Sequence, residues 1–546
     1  MSTIWSSLGK ARLEELVGAQ LLSRLEGLLP ALRPGELEID TIYSSDGLCR
    51  IFNAFSGAAS LEHPSFRTEL FNSLPPEILD EIVRRTGVCS VRLPFDQKVT
   101  RLVKAGWKTK EFAEHVVSTL GISPDFVPMD LSLPPAEQLL RAIEKPYKPL
   151  KDYQSSILYR ALEDLKPTFS RFVLQMPTGS GKTRTAIEII CNFLNTASEG
   201  VISLWLVHSE ELCEQAYDCF VEVWPHVGMK SLRLVRCWGD GCTLPFEFAE
   251  SAFIVGSFQR LYAILQKNEL PFRELAPRLE LLIVDEAHKV LAPTYRAVVK
   301  ALLGNTTRVI GLTATPGRSF TDVAQNEALA EFFFNKILSI DSGGRPIIDY
   351  LRTKGILSHS EYTPLITERN FELSAQEVRY VERFFDLPSG LLQRIGADDM
   401  RNVEIVKRLE SECRAGGQII FFACSVDHSR FICALLTFLG IRAAHVDGTT
   451  NRARRASLIS DFKTSKIQVL CNYGLLSTGF DAPKTDVVFI TRPTSSIVLY
   501  SQMIGRGLRG PAIGGTELCR VIDVIDNIKG FSDERSVYEY FSEYYD

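Results

Sequence analysis

The sequence predicts an α/β protein with two tandem parallel, doubly wound sheets preceded by a mainly helical accessory domain. Three observations carry this. Short apolar runs alternating with helical patterns occur in two separate series, around Val173 and at 204–207, 253–255, 281–284 and 309–312, then at 419–422, 443–446, 469–471, 487–490 and 521–524. A Gly-rich turn, Met176-Pro177-Thr178-Gly179-Ser180-Gly181-Lys182-Thr183, joins strand to helix in the first series and has no counterpart in the second. Ahead of both, residues 1–145 repeat apolar positions at a period of about 3.6.

Within residues 1–145, one helical pattern starts at Ala11 and continues through Leu25, a second opens on Pro75-Pro76 and runs to Val83, and a third spans 108–117. The region carries no chemical constellation and reads as an accessory or partner-docking domain. Pro146 and Pro149 mark its end. Residues 146–335 hold the first sheet, residues 336–415 read as a linker with a helical insertion, and residues 416–528 hold the second sheet. The tail, 529–546, is aromatic and acidic.

A chain of 546 residues accommodates several domains with their own cores, and 45% hydrophobic with 23% charged residues is a globular composition. A net charge of -5 argues against coating nucleic acid by bulk positive charge, although a local groove can still be basic. The 12 cysteines include no Cys-x-x-Cys pair, and the spacings Cys237 to Cys242 and Cys213 to Cys219 do not suit zinc, so they read as reduced thiols. The first residues lack the apolar core of a signal peptide, and no run approaches the roughly 20 apolar residues that span a bilayer. The expectation is a cytoplasmic protein without membrane contact.

The Gly-rich turn has the chemistry of a phosphate loop. Gly179 and Gly181 let the backbone amides around Thr178 and Ser180 face a polyphosphate, Lys182 neutralises its outer oxygens, and the Thr183 hydroxyl suits Mg²⁺. Farther on, four apolar residues end in Asp285-Glu286-Ala287-His288. A parallel strand presents such acids at its carboxyl end, where α/β sheets bind ligands. There Asp285 would hold Mg²⁺ and Glu286 would orient or deprotonate the attacking water. A bare acidic pair is ordinarily a solvated turn, but the upstream loop makes these two the complementary half of an ATP site.

The remaining short motifs then resemble those of superfamily 2 helicases and translocases, which implies two RecA-like domains with ATP held between them. Leu150-Lys151-Asp152-Tyr153-Gln154 resembles the family's Gln motif, implying that Gln154 reads the adenine edge. Thr313-Ala314-Thr315, after a buried strand, resembles the motif whose hydroxyls, with His288, couple the nucleotide to the domain interface. Thr478-Gly479-Phe480-Asp481 resembles motif V, implying Gly479 near the γ-phosphate and Asp481 at the ribose. Gln502-Met503-Ile504-Gly505-Arg506-Gly507-Leu508-Arg509 resembles motif VI. Arg506 and Arg509, three apart, would share a helix face and reach the γ-phosphate when the domains close.

Likeness to motifs Ia, Ib and IV marks His208-Ser209, Ser257-Phe258-Gln259 and Ser425-Val426-Asp427-His428 as strand contacts, with Thr478 beside them. Small hydroxyls and amides at strand ends grip phosphates without reading bases. The DEAH box and the Gly-Phe-Asp-Ala-Pro and Gln-Met-Ile-Gly-Arg-Gly-Leu-Arg runs are closest in style to the RadD and type I/III restriction-subunit (Res) group. That resemblance covers about 150–528 and implies an ATP- and Mg²⁺-dependent DNA helicase or translocase, in DNA repair or anti-phage defence. Two alternatives stay open: an RNA helicase, and a nucleic-acid-triggered ATPase switch that signals to a partner nuclease or other effector.

Overall fold

The structure is a computed structural model; it describes residues 5–33, 39–56, 60–61, 63–107, 109–122, 126–127, 137–140, 149–239, 250–314, 323–384, 387–448, 450, 452–474, 482, 484–494 and 497–529. It is α/β, with two parallel sheets of the RecA-like tandem and a helical N-terminal region. The strands are β1 (Glu137–Leu140), β2 (Arg171–Gln175), β3 (Ile202–Val207), β4 (Leu232–Cys237), β5 (Ala252–Ser257), β6 (Leu279–Asp285), β7 (Arg308–Thr313) and β8 (Ile337–Ser339) in the first sheet. The second holds β9 (His359–Tyr362), β10 (Leu365–Glu372), β11 (Ile419–Phe422), β12 (Ala443–Val446), β13 (Val469–Asn472), β14 (Val487–Ile490) and β15 (Leu518–Lys529).

The first sheet runs β1-β4-β5-β3-β6-β7-β2-β8 and the second β10-β15-β14-β11-β13-β12, with β9 also on β15. β3, β5 and β7 are buried along their whole length, because helices cover both faces of a parallel sheet, and this is why they appear in the sequence as unbroken apolar runs. Neighbourhood in the sheet does the functional positioning: β6 lies beside β7 and β7 beside β2, so the carboxyl ends of three strands distant in sequence form one edge of a cleft.

The N-terminal helices are set by their own punctuation. Pro76–Thr86 opens on Pro and closes on Gly87 at φ 64, and Lys110–Leu120 closes on Gly121 at φ 63, both left-handed positions that glycine occupies without steric cost. The expected continuous helix through Leu25 is two, Lys10–Val17 and Ala19–Leu32, divided by Gly18 at φ 91. Their apolar faces merge with the helices of the second sheet in one core, which includes Leu25, Phe52, Val406 and Ile432. Arg24 donates to Asp399 at 2.6 Å and stacks over Phe431 at 3.9 Å, while Arg33 pairs with Glu410. β1, in contrast, pairs antiparallel with β4 at the edge of the first sheet.

Residues 336–415, expected as a linker, contribute β8 to the first sheet and β9 and β10 to the second before the helices Ser389–Ala397 and Asp399–Arg414. Arg401 of the latter is fully buried and forked onto Asp526 of β15, with Nε at 2.8 Å from Oδ1 and Nη2 at 2.9 Å from Oδ2. Cys191, Cys213, Cys433 and Cys471 are buried thiols as expected, but Cys237 at the end of β4 is disulfide-bonded. That corrects the expectation of thiols throughout; a disulfide depends on backbone approach, which sequence spacing does not specify. No helix among the described residues is long and apolar enough to cross a membrane.

Candidate active site

The phosphate loop connects β2 to the helix Lys182–Thr196. Gly179 (φ 93) and Gly181 (φ 85) are both left-handed, so the loop can curl only where a Cβ is missing. The loop is held from three sides. The Met176 N–H donates to the Thr313 carbonyl at 3.1 Å, tying it to β7. Ser180 donates through N–H and Oγ to the Pro177 carbonyl, at 3.1 and 2.7 Å. Tyr153 Oη and Gln154 Nε2 donate to the Ser180 carbonyl, at 2.7 and 3.2 Å.

Gln154 Oε1 in turn accepts from the Lys151 N–H at 2.9 Å, and a methyl group on Gly181 would run into Nε2. The amide expected at an adenine edge thus spends both ends on the protein and braces the loop.

Two buried acids face this loop. Asp285, the last residue of β6, accepts the Glu286 N–H at 2.9 Å. Glu286 itself is left-handed at φ 52, a strained conformation for a residue with a Cβ, and it turns the chain out of the strand. Lys182 Nζ lies 3.7 Å from Asp285 Oδ1 and 3.9 Å from Glu286 Oε1, one cation shared by two carboxylates. Burial pushes the Asp285 carboxyl above its ordinary range, with Lys182 opposing. Burial acts upward on Glu286 too, but nearby cations, Lys182 first and Lys289 with it, outweigh it and hold that group below its usual value. His288 Nδ1 is 3.4 Å from Glu286 Oε2, and burial lowers its imidazole to about 4, so the ring is neutral near pH 7.

These residues fit Mg-ATP. Among the described residues no three or more His, Cys, Asp or Glu side chains gather to hold a metal alone. Mg²⁺ needs no such cage, since one or two protein oxygens suffice when phosphates supply the rest. The Thr183 hydroxyl and Asp285 are the protein oxygens available for that part.

The second sheet closes the cleft. Gly505 is packed so closely on Thr178 that a methyl group there would overlap its Cγ2, and the Arg509 guanidinium stands against Gly179, 2.7 Å from where a Cβ would be. Lys151 Nζ reaches the Ala512 carbonyl at 3.5 Å. Gln502 and Arg506 are buried beside this seam. The helix Ile497–Ile504 stops before either arginine, which corrects the expectation of a shared helix face: both lie on the chain that follows it. Gly505 and Gly507 allow this, the latter pressed against Val488 and Cys519.

At the carboxyl ends of β3, β5 and β11, Ser209, Ser257 and Ser425 each cap the following helix, accepting from the N–H of Leu212 (3.4 Å), Arg260 (3.2 Å) and His428 (3.0 Å). Three helix N-termini result, each suited to an anionic group. Gln259 is exposed, its Nε2 donating to the His208 carbonyl.

His428 does not reach this surface. It is 2% exposed, accepts the Cys424 N–H through Nδ1 at 3.1 Å and packs edge-on to Phe421, which makes it a core residue and corrects its expected role as a strand contact.

Thr315, Thr478, Gly479, Asp481 and residues 530–546 lie outside the described residues. Sequence reasoning missed Tyr153, and it missed Arg455, which crosses the cleft to Glu211. The run Arg452-Ala453-Arg454-Arg455 signals a basic helix start but not its partner.

Residues 147–318 match the family of type III restriction enzyme res subunits, and residues 401–510 match the helicase conserved C-terminal domain. The putative ATP-dependent helicase IRC3 of Saccharomyces cerevisiae is 26% identical over 399 residues, 71% of this chain and 53% of that protein. A 51.5 kDa protein of a Lactococcus phage is 28% identical over 337 residues, 62% of each chain. The type ISP restriction-modification enzyme LlaBIII, solved bound to DNA, aligns with 70% of this chain and 28% of its own at 18% identity and a TM-score of 0.47. The chain spans between 53% and 62% of the length of the first curated relatives it matches.

Proposed function

Since the chain belongs to the superfamily 2 helicases of the Res group, joining a res-subunit domain to a helicase C-terminal domain, we propose that it is an ATP-dependent DNA helicase or translocase that hydrolyses ATP between its two RecA-like sheets. The observation that carries the reading is the seam itself: Arg509, from the second sheet's half, stands against Gly179 of the same loop whose Lys182 faces Asp285 and Glu286.

Gly179 and Gly181 present backbone donors to the phosphates, and Lys182 leaves the carboxylates to neutralise the outer oxygens. Mg²⁺, held by Thr183 and Asp285, would withdraw charge from the β- and γ-phosphates. Glu286, held anionic by its cationic neighbours, takes the proton of the attacking water. Arg506 and Arg509 stabilise the transferring phosphoryl group only with the sheets together, which ties hydrolysis to closure. Ser209, Ser257 and Ser425 hold a strand by its phosphates, and closure moves the two sets of contacts relative to each other.

DNA is the preferred track because the res-subunit match is to restriction enzymes, with repair or anti-phage defence as the setting. Relatives whose names are ATP-dependent RNA helicases favour the second reading, an RNA track. Steady-state ATP hydrolysis with duplex, single-stranded or forked DNA, or RNA, separates the two. Stimulation by DNA is expected; stimulation by RNA alone selects the alternative, and no response to any polymer refutes both. Lys182→Ala weakens binding and turnover together. Glu286→Gln keeps ATP binding and loses about 10²- to 10⁴-fold in turnover, the ordinary worth of a general base; hydrolysis at the parent rate removes Glu286 from that role.

A further inference from the structure

One histidine near Glu286 has no part in the mechanism above. β3 pairs in parallel with β6, Leu206 opposite Val284, and His208 and Glu286 each come two residues after that pair. Each lies just past the paired part of its strand, within electrostatic reach of the other. His208 Nδ1 is buried and has no hydrogen-bond partner among the described residues. Burial is also the main reason that its imidazole is lowered to about 4, against the opposing pull of Glu286 and Glu211.

A neutral ring nitrogen buried without a partner is costly, and such atoms call for an explanation. The backbone of the same residue belongs to the rim expected to hold the strand: the His208 carbonyl accepts from Gln259 Nε2, and Ser209 caps the next helix. Among the described residues, Glu286 for its part is held by long contacts, 3.9 Å to Lys182 and 3.4 Å to His288, at a strained backbone position.

We propose that His208 is a positioning residue for Glu286: its Nδ1–H donates to the Glu286 carboxylate when the cleft is loaded, and its backbone links that orientation to the strand-holding rim. The inference rests on the reading of Glu286 as the group that handles the water. It assigns no proton transfer to His208, which stays neutral throughout.

The test uses the full chain with His208→Asn, which places an amide near Nδ1, and His208→Leu, which fills the space with no donor. ATP hydrolysis is measured with and without single-stranded DNA, alongside binding of a fluorescent ATP analogue and of the DNA. His208→Leu is expected to lower kcat about tenfold, the scale of a misplaced catalytic group, with KM and both affinities within about twofold. His208→Asn is expected to restore most of the loss.

An unchanged kcat in His208→Leu overturns the proposal. So does loss of DNA affinity in both variants with kcat preserved at saturation, which would make His208 a direct strand contact. A parent chain that hydrolyses ATP but ignores every polymer refutes the motor reading, yet the basal kcat of the two variants still decides this one. A melting temperature equal to the parent's establishes that His208→Leu is folded; if it is not, His208→Gln, whose amide falls near Nε2, replaces it and is expected to show the same loss.

Discussion

Arg455, four residues into the helix Arg452–Lys463 of the second sheet domain, donates through Nη1 at 2.5 Å to Glu211 in the first turn of the helix Glu210–Val227 of the other. The same guanidinium holds the Thr450 carbonyl at 3.1 Å, and Thr450 is bonded to Asp447, which His445 and Arg430 also grip. The ion pair is therefore the end of an ordered network that joins the two halves of the molecule. Its side chains are 17% and 29% exposed, so coupling of about 0.2–1 kcal/mol is expected. Arg455→Ala and Glu211→Ala should each raise KM for ATP, and the double variant should do no more than either; additive effects in that cycle would show that the pair does not hold the sheets together.

Gly179→Ala tests the seam from the nucleotide side. The added methyl would stand 2.7 Å from Arg509 Nη1 and 3.0 Å from Leu357 Cδ2, at a backbone angle that alanine rarely adopts. A loss in kcat/KM of at least about tenfold is expected. Combining it with Arg509→Ala should cost little more than either change alone, because both disturb one contact.

The buried fork between Arg401 and Asp526 predicts an asymmetry in stability. Asp526→Ala strands a fully buried guanidinium and should cost about 3–5 kcal/mol, read as a lower urea midpoint. Replacing both partners by apolar residues, Arg401→Met with Asp526→Leu, should recover much of that loss. A double variant as unstable as the single would show that the fork is worth more than the removal of a stranded charge.

Asp523 predicts a pH dependence. Burial raises its carboxyl from 3.8 to about 7, even though Tyr500 Oη donates to it at 3.1 Å. A raised folded value means that this residue's contribution is fully present below the unfolded value of 3.8 and is lost as pH rises through about 7. Asp523→Asn keeps an acceptor for Tyr500 and removes the titration. Its melting temperature relative to the parent should therefore rise between about pH 4 and about pH 8; a constant difference would contradict the assignment.

What the sequence made legible follows from which side chains are covered. β3, β6 and β11 are buried on both faces and stand out as apolar runs, and the left-handed glycines of the loop have no substitute, so strands and loop could be read directly. β9 and β10 are half-exposed, with Glu361, Glu368 and Arg369 along them, and a charged alternating strand looks like a linker until β15 is found beside it. The burial of His428, the placing of Arg506 and Arg509 beyond their helix, and the reach of Arg455 to Glu211 depend on packing between segments far apart in the chain, which no local pattern encodes.

The attachment of the N-terminal helices has a mechanical meaning. They share a core with the second sheet's helices, while the short strand that follows them, Glu137–Leu140, is stitched to the outer edge of the first. The chain is thus belted around both halves of the molecule. Any movement of one sheet relative to the other would therefore load the link between the helices and that strand, so a partner bound to the helices would sense it.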